Sequence, residues 1–215
     1  MITTIYLIRH AEPFKIHKGI RKTNESLLLE NEKTPLSING EKMAEQWSIH
    51  NELKNIDLVW SSNYVRAMST AKYFAHINNL KVNIDERFNE RIHGVNSWDE
   101  LPDNFEQQQL LDLDYKLKNG ESQREVANRM YDATNELLEN YNGKKIIVVS
   151  HATAIMFLLI KLCEFKNNKL LFKNKIIIDE NFVWGAPELF KLEFNNKELI
   201  NLENIKYNDK WWENE

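Results

Sequence analysis

The sequence predicts an α/β protein: a three-layer α/β/α sandwich with a mostly parallel central sheet and helices on both faces. Short β-branched apolar segments, residues 3–8 and 145–149 above all, are typical of strands that are buried on both sides. Segments with apolar residues at helical spacing alternate with these strands along the chain, which favours parallel pairing. A length of 215 residues suits one large domain. We therefore expect a single domain over residues 1–215, with room for a small cap at 95–118.

The first half of the chain supplies three predicted strands and two long helices. Ser37 or Asn39 can cap the first of these helices, because both side chains accept hydrogen bonds from free amides at a helix start. In the second helix Val65, Met68 and Ala75 follow helical spacing. The predicted elements are strands at 3–8, 57–60 and 81–84, helices at 39–51 and 63–77, and a loop with a short helix at 87–109.

The second half begins with the clearest helix start of the chain. Ser122 can cap the free amides while Glu125 reaches back to the Ser122 amide, and Gly143 closes this helix. A β-hairpin with Asn195 and Asn196 at its turn ends the predicted sheet. The remaining elements are a strand at 145–149, an apolar helix at 152–163, a short excursion at 166–180, and hairpin strands at 181–194 and 198–205.

Composition excludes several classes of protein. A net charge of −4 argues against nucleic acid as the partner, since phosphate backbones need a basic surface. A single cysteine, Cys163, allows neither an internal disulfide framework nor a thiolate metal cluster. We expect no membrane association, because no segment reaches the roughly 18 apolar residues that a span requires. The N-terminus lacks the features of a signal peptide, so we expect a cytoplasmic protein.

Reactive side chains follow three of the predicted strands. Arg9 and His10 follow the first strand, Arg66 lies one turn into the helix after the second, and His151 follows the strand at 145–149. The carboxyl ends of parallel strands lie on one edge of a sheet, where ligands of such sheets bind. These four side chains are therefore expected to meet in one pocket, with the amides that start the next helix, near Ala152, pointing at it.

Two arginines, two histidines and a helix N-terminus describe a phosphate site. The chain has 21 lysines but only 7 arginines, so an arginine at a strand end stands out as a two-point phosphate ligand. A neutral imidazole is a competent nucleophile near pH 7, and neighbouring arginines disfavour its protonation. A leaving alkoxide needs a proton donor, for which Glu90 is the candidate.

Six ordered segments resemble motifs of the histidine phosphatase superfamily, in its phosphoglycerate-mutase-like branch. The first resembles the Arg-His-Gly signature, and the others resemble the Leu-Thr-x-x-Gly, Ser-x-x-x-Arg-Ala, Glu-x-x-x-Gly, Gly-Glu-Ser and second-histidine segments. The likeness spans roughly residues 3 to 160. In chain order the segments are 8–12 (IRHAE), 35–40 (PLSING), 61–67 (SSNYVRA), 88–94 (FNERIHG), 120–122 (GES) and 149–152 (VSHA).

The resemblance implies a role for each matching residue. His10 would become a transient phosphohistidine, and Glu90 would protonate the leaving group and then activate water. The resemblance implies neither a metal nor another cofactor. The substrate would be a small phosphorylated metabolite. The expected phosphate ligands are Arg9, Arg66, His151 (also counted as catalytic) and Ala152.

The resemblance leaves two departures and an alternative reaction. Ala11 and Ala152 stand where the family commonly has glycines, which would cost about 1 kcal/mol if the backbone there needed a positive φ. Similar glycolytic mutases carry a longer insertion between the acid and the second histidine, whereas Glu90 and His151 lie 61 positions apart. We therefore interpret the chain as a phosphatase, with a phosphoglycerate-type mutase or a non-catalytic phosphate-binding module as alternatives.

Several residues keep two interpretations. Glu90 is either the acid or a surface partner of Arg87 or Arg91. Glu12, Arg21 and His93 are further candidates for contacting substrate, although His93 is equally compatible with a turn. The basic residues at 15–22 form either a mobile lip that attracts an anion or a solvated loop. The pair at 211–212 (WW) docks either on the domain or on a partner chain, and the oligomeric state, a homodimer included, stays open.

Overall fold

A computed structural model describes residues 1–15 and 27–207 of the chain. Arg21, the rest of the basic segment from residue 16 on, and the pair at 211–212 lie outside the described residues. Among the described helices, none has both the length and the apolar character needed to cross a membrane. The helices are α1 (Leu27–Lys33), α2 (Ile38–Ser48), α3 (Val65–Ile77), α4 (Phe105–Leu111), α5 (Gln123–Asn140) and α6 (Ala152–Leu162). The strands are β1 (Ile2–Arg9), β2 (Leu58–Ser61), β3 (Val82–Ile84), β4 (Lys145–Ser150), β5 (Glu164–Lys166), β6 (Lys169–Phe172), β7 (Lys175–Ile178), β8 (Glu188–Asn195) and β9 (Glu198–Ile205).

Six strands form the central sheet in the order β3-β2-β4-β1-β8-β9. The first four strands of this order run parallel to one another, while β8 and β9 are antiparallel to their neighbours. The prediction of a mostly parallel sheet with a closing hairpin is thereby confirmed. Placing β1 and β4 at the centre also puts the strand that ends at Arg9 beside the strand that ends at Ser150.

Alternation along β1 shows how helices come to cover both faces of the sheet. Tyr6 and Ile8 point to one face and are buried with residues of α2 and α3. Ile5 and Leu7 point to the other face and are buried with residues of α5 and α6. All four side chains are at most 2% exposed, as a strand in the middle layer requires. The three-layer prediction is confirmed.

Two helices begin at side-chain caps that the sequence predicted. The Ser37 hydroxyl accepts a hydrogen bond from the Gly40 amide at the start of α2, so Ser37 rather than Asn39 is the cap. Ser122 and Glu125 form a complete capping box at the start of α5. Gly40 must be a glycine here, because a Cβ atom at this position would lie 2.1 Å from the Glu12 carbonyl oxygen.

Two boundaries differ from the predictions, one at the end of α2 and one at the start of β8. The helix predicted to residue 51 ends at Ser48, and a separate 3-10 turn follows. The strand expected from residue 181 begins only at Glu188, after Pro187, which has no N–H to give to a strand ladder. The excursion at 166–180 belongs to a small antiparallel sheet, β5-β6-β7.

Positive φ angles explain the turns of the small sheet. Asn167 and Asn168 both have positive φ between β5 and β6. Lys173 and Asn174 repeat this pattern between β6 and β7. Two successive residues with positive φ are typical of two-residue hairpin turns, in which asparagine is favoured. These asparagines are a hairpin signal in the sequence. The segments that flank them do not alternate clearly between apolar and polar residues, so the sequence does not predict the hairpins.

Candidate active site

Three neighbouring strands deliver their following residues to one edge of the sheet. Arg9 lies opposite Ser150 in the β1–β4 pairing, and the His10 amide donates to the Ser150 carbonyl at 3.0 Å. On the other side of β4, the Ser62 amide donates to the Val149 carbonyl at 3.0 Å. The expected convergence of His10, His151 and the residues after β2 is confirmed.

His10 has its tautomer set by a backbone contact. Its ring is 5% exposed, and Nδ1 lies 2.7 Å from the Ala11 carbonyl oxygen. Because a carbonyl can only accept, Nδ1 carries the proton and Nε2 carries the lone pair. Burial, followed by the charge of Arg66, holds the pKa of His10 well below its ordinary value. The ring is therefore neutral around pH 7, with Nε2 as its nucleophilic atom.

The Arg66 guanidinium lies between the two histidines and is 5% exposed. Its Nε donates to His10 Nε2 at 3.0 Å, its Nη2 donates to His151 Nδ1 at 3.1 Å, and its Nη1 donates to the Asn31 carbonyl of α1. All of these acceptors are neutral. Burial lowers the pKa of Arg66 to about 10, so the group remains charged near pH 7. Its positive charge is therefore available to an anion.

His151 completes the cluster from the other side of Arg66. Since Nδ1 accepts from Arg66, Nε2 must carry the proton, and it donates to the Ser62 hydroxyl at 2.8 Å. The ring is fully buried, and its centroid lies 5.0 Å from that of His10. Burial first, and Arg66 second, hold the pKa of His151 well below its ordinary value.

Arg9 reaches the same edge and has a buried donor that the described residues leave without a partner. Its Nη1 donates to the carbonyls of Trp184 and Gly185, at 3.2 and 2.8 Å. Its Nε is buried, and no described residue accepts from it. A buried donor without a partner is costly, and a ligand oxygen would satisfy it.

The Glu90 carboxylate sits on the first turn of α6. Its Oε1 accepts from the amides of Arg91 and Ala154, at 2.9 and 3.0 Å, and its Oε2 accepts from the Thr153 amide at 3.3 Å. Two of the free amides of this helix, which were expected to point at the phosphate pocket, therefore donate to Glu90. Ala152, the first residue of α6, has the remaining amide, and no described residue accepts from it.

The alternative of a surface ion pair for Glu90 is wrong. Arg87 is paired with Asp85 and Glu136, at 2.6 and 2.7 Å. Arg91 is paired with Glu106 at 2.8 Å. Glu90 is instead a half-buried carboxylate held by backbone amides, close enough to Arg9 and Arg66 to interact with both charges.

Alanine after each histidine is tolerated without strain. Neither Ala11 nor Ala152 has a positive φ. Ala11 is fully buried, and its amide donates to the Thr70 hydroxyl at 3.0 Å. The cost considered for a left-handed backbone therefore does not arise at either position.

Comparison with known proteins identifies the family. The family model of the histidine phosphatase superfamily (branch 1) matches residues 5–174. The chain belongs to this superfamily. It is 28% identical over 159 residues to "Probable phosphoglycerate mutase GpmB" of Escherichia fergusonii, which covers 70% of each protein.

Solved structures of the same fold include two phosphatases. A mycobacterial glucosyl-3-phosphoglycerate phosphatase superposes with a TM-score of 0.68 at 19% identity, covering 97% of this chain and 99% of the other. A phosphoserine phosphatase mutant from Entamoeba histolytica, in complex with phosphoserine, gives 0.68 at 19% identity, covering 97% and 98%. These likenesses support the phosphoglycerate-mutase-like α/β fold of this member of the superfamily.

Two further candidate residues occupy different places around the His10 cluster. Glu12 accepts from the Ser37 hydroxyl at 2.6 Å at the start of α2, so its carboxylate is used for helix capping and is not bonded to the His10 cluster. His93 accepts from Arg91 Nη2 at 2.9 Å and lines a cavity of about 190 Å³ together with Asn31. Burial, followed by the charge of Arg91, lowers the pKa of His93 to about 4.

Arg129 is a site-supporting residue that the sequence analysis does not single out. It donates to the carbonyls of Arg87, Asn89 and Glu90, at 2.7 to 3.3 Å, and binds both carboxylate oxygens of Glu121. It thereby fixes the backbone that carries Glu90. The sequence could have pointed to Arg129 through its residue type, because arginines are few in this lysine-rich chain. Within the described residues, no group of three or more His, Cys, Asp or Glu could hold a metal ion.

Proposed function

We propose that this chain is a phosphatase that hydrolyses a small phosphate monoester through a phosphohistidine on His10, without a metal or other cofactor. The observation that carries this proposal is the fixed tautomer of His10. Its proton is held on Nδ1 by the Ala11 carbonyl, and its Nε2 lone pair faces the guanidinium of Arg66. A nucleophile beside a positive charge that no described carboxylate contacts directly is suited to attack on phosphorus.

In this proposal four groups bind the phosphoryl oxygens. Arg66 turns its N–H groups from His10 and His151 to the substrate, which frees the Nε2 lone pair for attack. Arg9 contributes its unpartnered Nε, and His151 and the Ala152 amide complete the set. Charge that builds up on the oxygens in the transition state is stabilised by these preorganised donors.

The proposed reaction has two steps. First, His10 Nε2 forms a bond to phosphorus while the ester P–O bond breaks, and a protonated Glu90 gives its proton to the leaving oxygen. Second, a water oxygen bonds to phosphorus, the N–P bond breaks, and Glu90 takes the proton of the water. Oε2 of Glu90 suits both transfers, because its single contact, at 3.3 Å, is the longest that the carboxylate makes.

A phosphoglycerate-type mutase is the second candidate, because the sequence likeness to a protein of that name covers 70% of this chain. Both activities use the same phosphohistidine, so the His10 cluster alone does not separate them. The separation between Glu90 and His151, without the longer insertion of similar mutases, supports hydrolysis.

The experiment that tests this proposal compares the hydrolysis of 4-nitrophenyl phosphate by wild type and by His10→Ala, each in excess chelator. We expect wild type to release phosphate and to form an acid-labile, base-stable phosphoenzyme, and we expect His10→Ala to do neither. His76→Ala, a change of an exposed histidine on α3, should behave like wild type. Turnover by His10→Ala, or loss of wild-type turnover with chelator that metal restores, would contradict the proposal.

The same protein given 3-phosphoglycerate separates hydrolysis from isomerisation. A phosphorus NMR time course that shows inorganic phosphate supports the phosphatase, whereas conversion to 2-phosphoglycerate supports the mutase. Binding of phosphate esters without turnover of either probe would support the non-catalytic alternative.

We further propose that residues 1–215 form one domain, in which residues 95–118 are a small cap beside α6. We also propose that the protein acts in the cytoplasm on a small metabolite. The Arg91–Glu106 ion pair supports the single domain, because it ties α4 to the segment that carries Glu90. Limited proteolysis that leaves the chain intact under native conditions would support a single domain.

A further inference from the structure

An apolar cavity lies beside the catalytic cluster, against α6. It has a volume of about 300 Å³, and we name it the α6 cavity. We infer that the α6 cavity binds the leaving group of the substrate, and that this group is apolar, uncharged and carries a hydroxyl. The inference rests on the proposed function and adds the substrate class to it. Its apolar lining consists of Leu110, Met156, Phe157, Ile160, Phe165 and Trp184.

The α6 cavity adjoins the residues that hold the proposed acid. Its lining includes Ala152, which follows His151, and Thr153, whose amide lies 3.3 Å from Glu90 Oε2. Trp184 lines it too, and the Trp184 carbonyl accepts from Arg9. Since Glu90 would protonate the leaving oxygen, the group attached to that oxygen must start beside Glu90. The α6 cavity begins one residue contact away, at Thr153.

Size and lining favour a ring or a branched hydrocarbon group. A dry apolar cavity of about 150 Å³ already accommodates benzene, so about 300 Å³ holds a substituted ring. Burying such a group against aromatic and aliphatic side chains contributes roughly 25 cal/mol for each Å² removed from water. The leaving group is therefore larger and more apolar than glycerate.

One buried polar group of the α6 cavity has no partner in the described part of the chain. Gln123, the first residue of α5, is 4% exposed, and no described residue donates to its Oε1. Gln109, the other buried glutamine of the lining, bonds at both ends: Oε1 to Arg91, and Nε2 to the Tyr115 and Glu121 carbonyls. A ligand hydroxyl would satisfy Gln123, because a hydroxyl can donate and accept.

The charge of the α6 cavity disfavours an anionic leaving group. Glu106 is the charged residue of its described lining, and its side chain is 70% exposed at the rim, where it pairs with Arg91. Neither lysine nor arginine is part of that lining. Arg91 contacts the lining, but its charge is already paired with Glu106. A second carboxylate buried here would be desolvated without a cation of its own, which is costly. Phosphoglycerate therefore fits this cavity poorly.

Three substrates with the same leaving oxygen test the inference: benzyl phosphate, 3-(hydroxymethyl)benzyl phosphate and 3-carboxybenzyl phosphate. We expect kcat/KM to be about tenfold higher for the hydroxymethyl ester than for benzyl phosphate, and lowest for the carboxyl ester. Gln123→Leu should abolish the preference for the hydroxymethyl ester over benzyl phosphate. Gln107→Leu, the same change on the exposed side of α4, should leave the full ranking as in wild type.

The outcomes distinguish failure of this inference from failure of the proposed function. Equal rates for the three esters, a preference for the carboxyl ester, or a preference for the hydroxymethyl ester that survives Gln123→Leu would overturn the subsite while leaving the phosphatase intact. Hydrolysis of 4-nitrophenyl phosphate but of none of the three esters would overturn it as well. Loss of every activity, including that on 4-nitrophenyl phosphate, would overturn the proposed function and this inference with it.

Discussion

Arg66 and Arg91 are both nearly fully buried, at 5% and 2% exposure, and both donate to a histidine. Their charges are treated differently. Arg91 meets the Glu106 carboxylate at 2.8 Å and also donates to Gln109. The acceptors of Arg66 among the described residues are two imidazoles and one carbonyl, all neutral.

The difference indicates which buried arginine can act on a ligand. A buried charge is stable when a counter-charge or a full set of hydrogen bonds compensates it. Arg91 has its compensation within the protein and therefore organises structure around the α6 cavity. Arg66 has hydrogen bonds but no anion in contact among residues 1–15 and 27–207, so a phosphoryl group would supply the missing counter-charge. Burial alone does not distinguish the two roles, whereas the charge of the partners does.

The largest expected effect is on Arg66. Arg66→Met keeps the length and bulk of the side chain but removes the charge and its donors, so kcat/KM for 4-nitrophenyl phosphate should fall about 10²- to 10³-fold. Steady-state kinetics measure this fall, and near-UV circular dichroism checks the fold. If Arg91→Met causes the larger loss of kcat/KM, the distinction between the two arginines is wrong.

Glu90 is the carboxylate counterpart of this comparison. It is paired with neither Arg66 nor Arg91 and is held by backbone amides instead. Glu90→Gln keeps the shape but cannot donate a carboxylic proton, so kcat for an alkyl phosphate should fall about 100-fold or more. A 4-nitrophenyl ester, whose leaving oxygen hardly needs a proton, should show a smaller fall in its first step. Near-wild-type rates on the alkyl ester would move the acid role to another group.

Arg91→Met should affect stability more than chemistry. It leaves the buried Gln109 oxygen and the His93 nitrogen without a donor, which is expected to lower the free energy of unfolding by about 2 kcal/mol. Urea denaturation measures this change. Arg124→Met is the matched control, because Arg124 also pairs with a carboxylate, Asp114, but at the surface, and it should leave the urea midpoint nearly unchanged. Equal midpoint shifts for both variants would contradict the structural role.

The sequence was sufficient for the parallel core and for the His10 cluster because both depend on short-range patterns. Buried strands such as β4 are nearly continuous apolar runs, and the residue after each strand must lie at the sheet edge. Sheet topology then brings His10 and His151 together although they are far apart in sequence. The neutral state of His10 was also foreseen, although burial rather than the arginines is its first cause.

What the sequence could not predict depends on long-range pairing of individual side chains. Nothing local tells whether Glu90 meets Arg87, Arg91 or the start of α6, because all are within reach of a half-buried carboxylate. The Arg129 contacts with the Glu90 segment bridge about 40 positions and carry no spacing rule. The α6 cavity likewise forms between α4, α6 and Trp184, none of which predicts the others.

The smallest expected effect concerns His93, the histidine that Arg91 rather than Arg66 contacts. Burial, then the Arg91 charge, lowers its pKa to about 4, with Glu106 acting in the opposite direction. Between pH 6.5 and 4 the unfolded chain binds a proton at this position and the folded chain does not. The free energy of unfolding therefore falls as pH falls through this window.

His93→Gln keeps an acceptor for Arg91 but cannot titrate, so its urea midpoint should fall less between pH 6.5 and 4 than that of wild type. His10 and His151 contribute with the same sign in both proteins and cancel in the difference. His76→Gln, the same change at an exposed site, should follow the wild-type curve, whereas a His93→Gln curve parallel to wild type would show that the folded protein binds this proton freely.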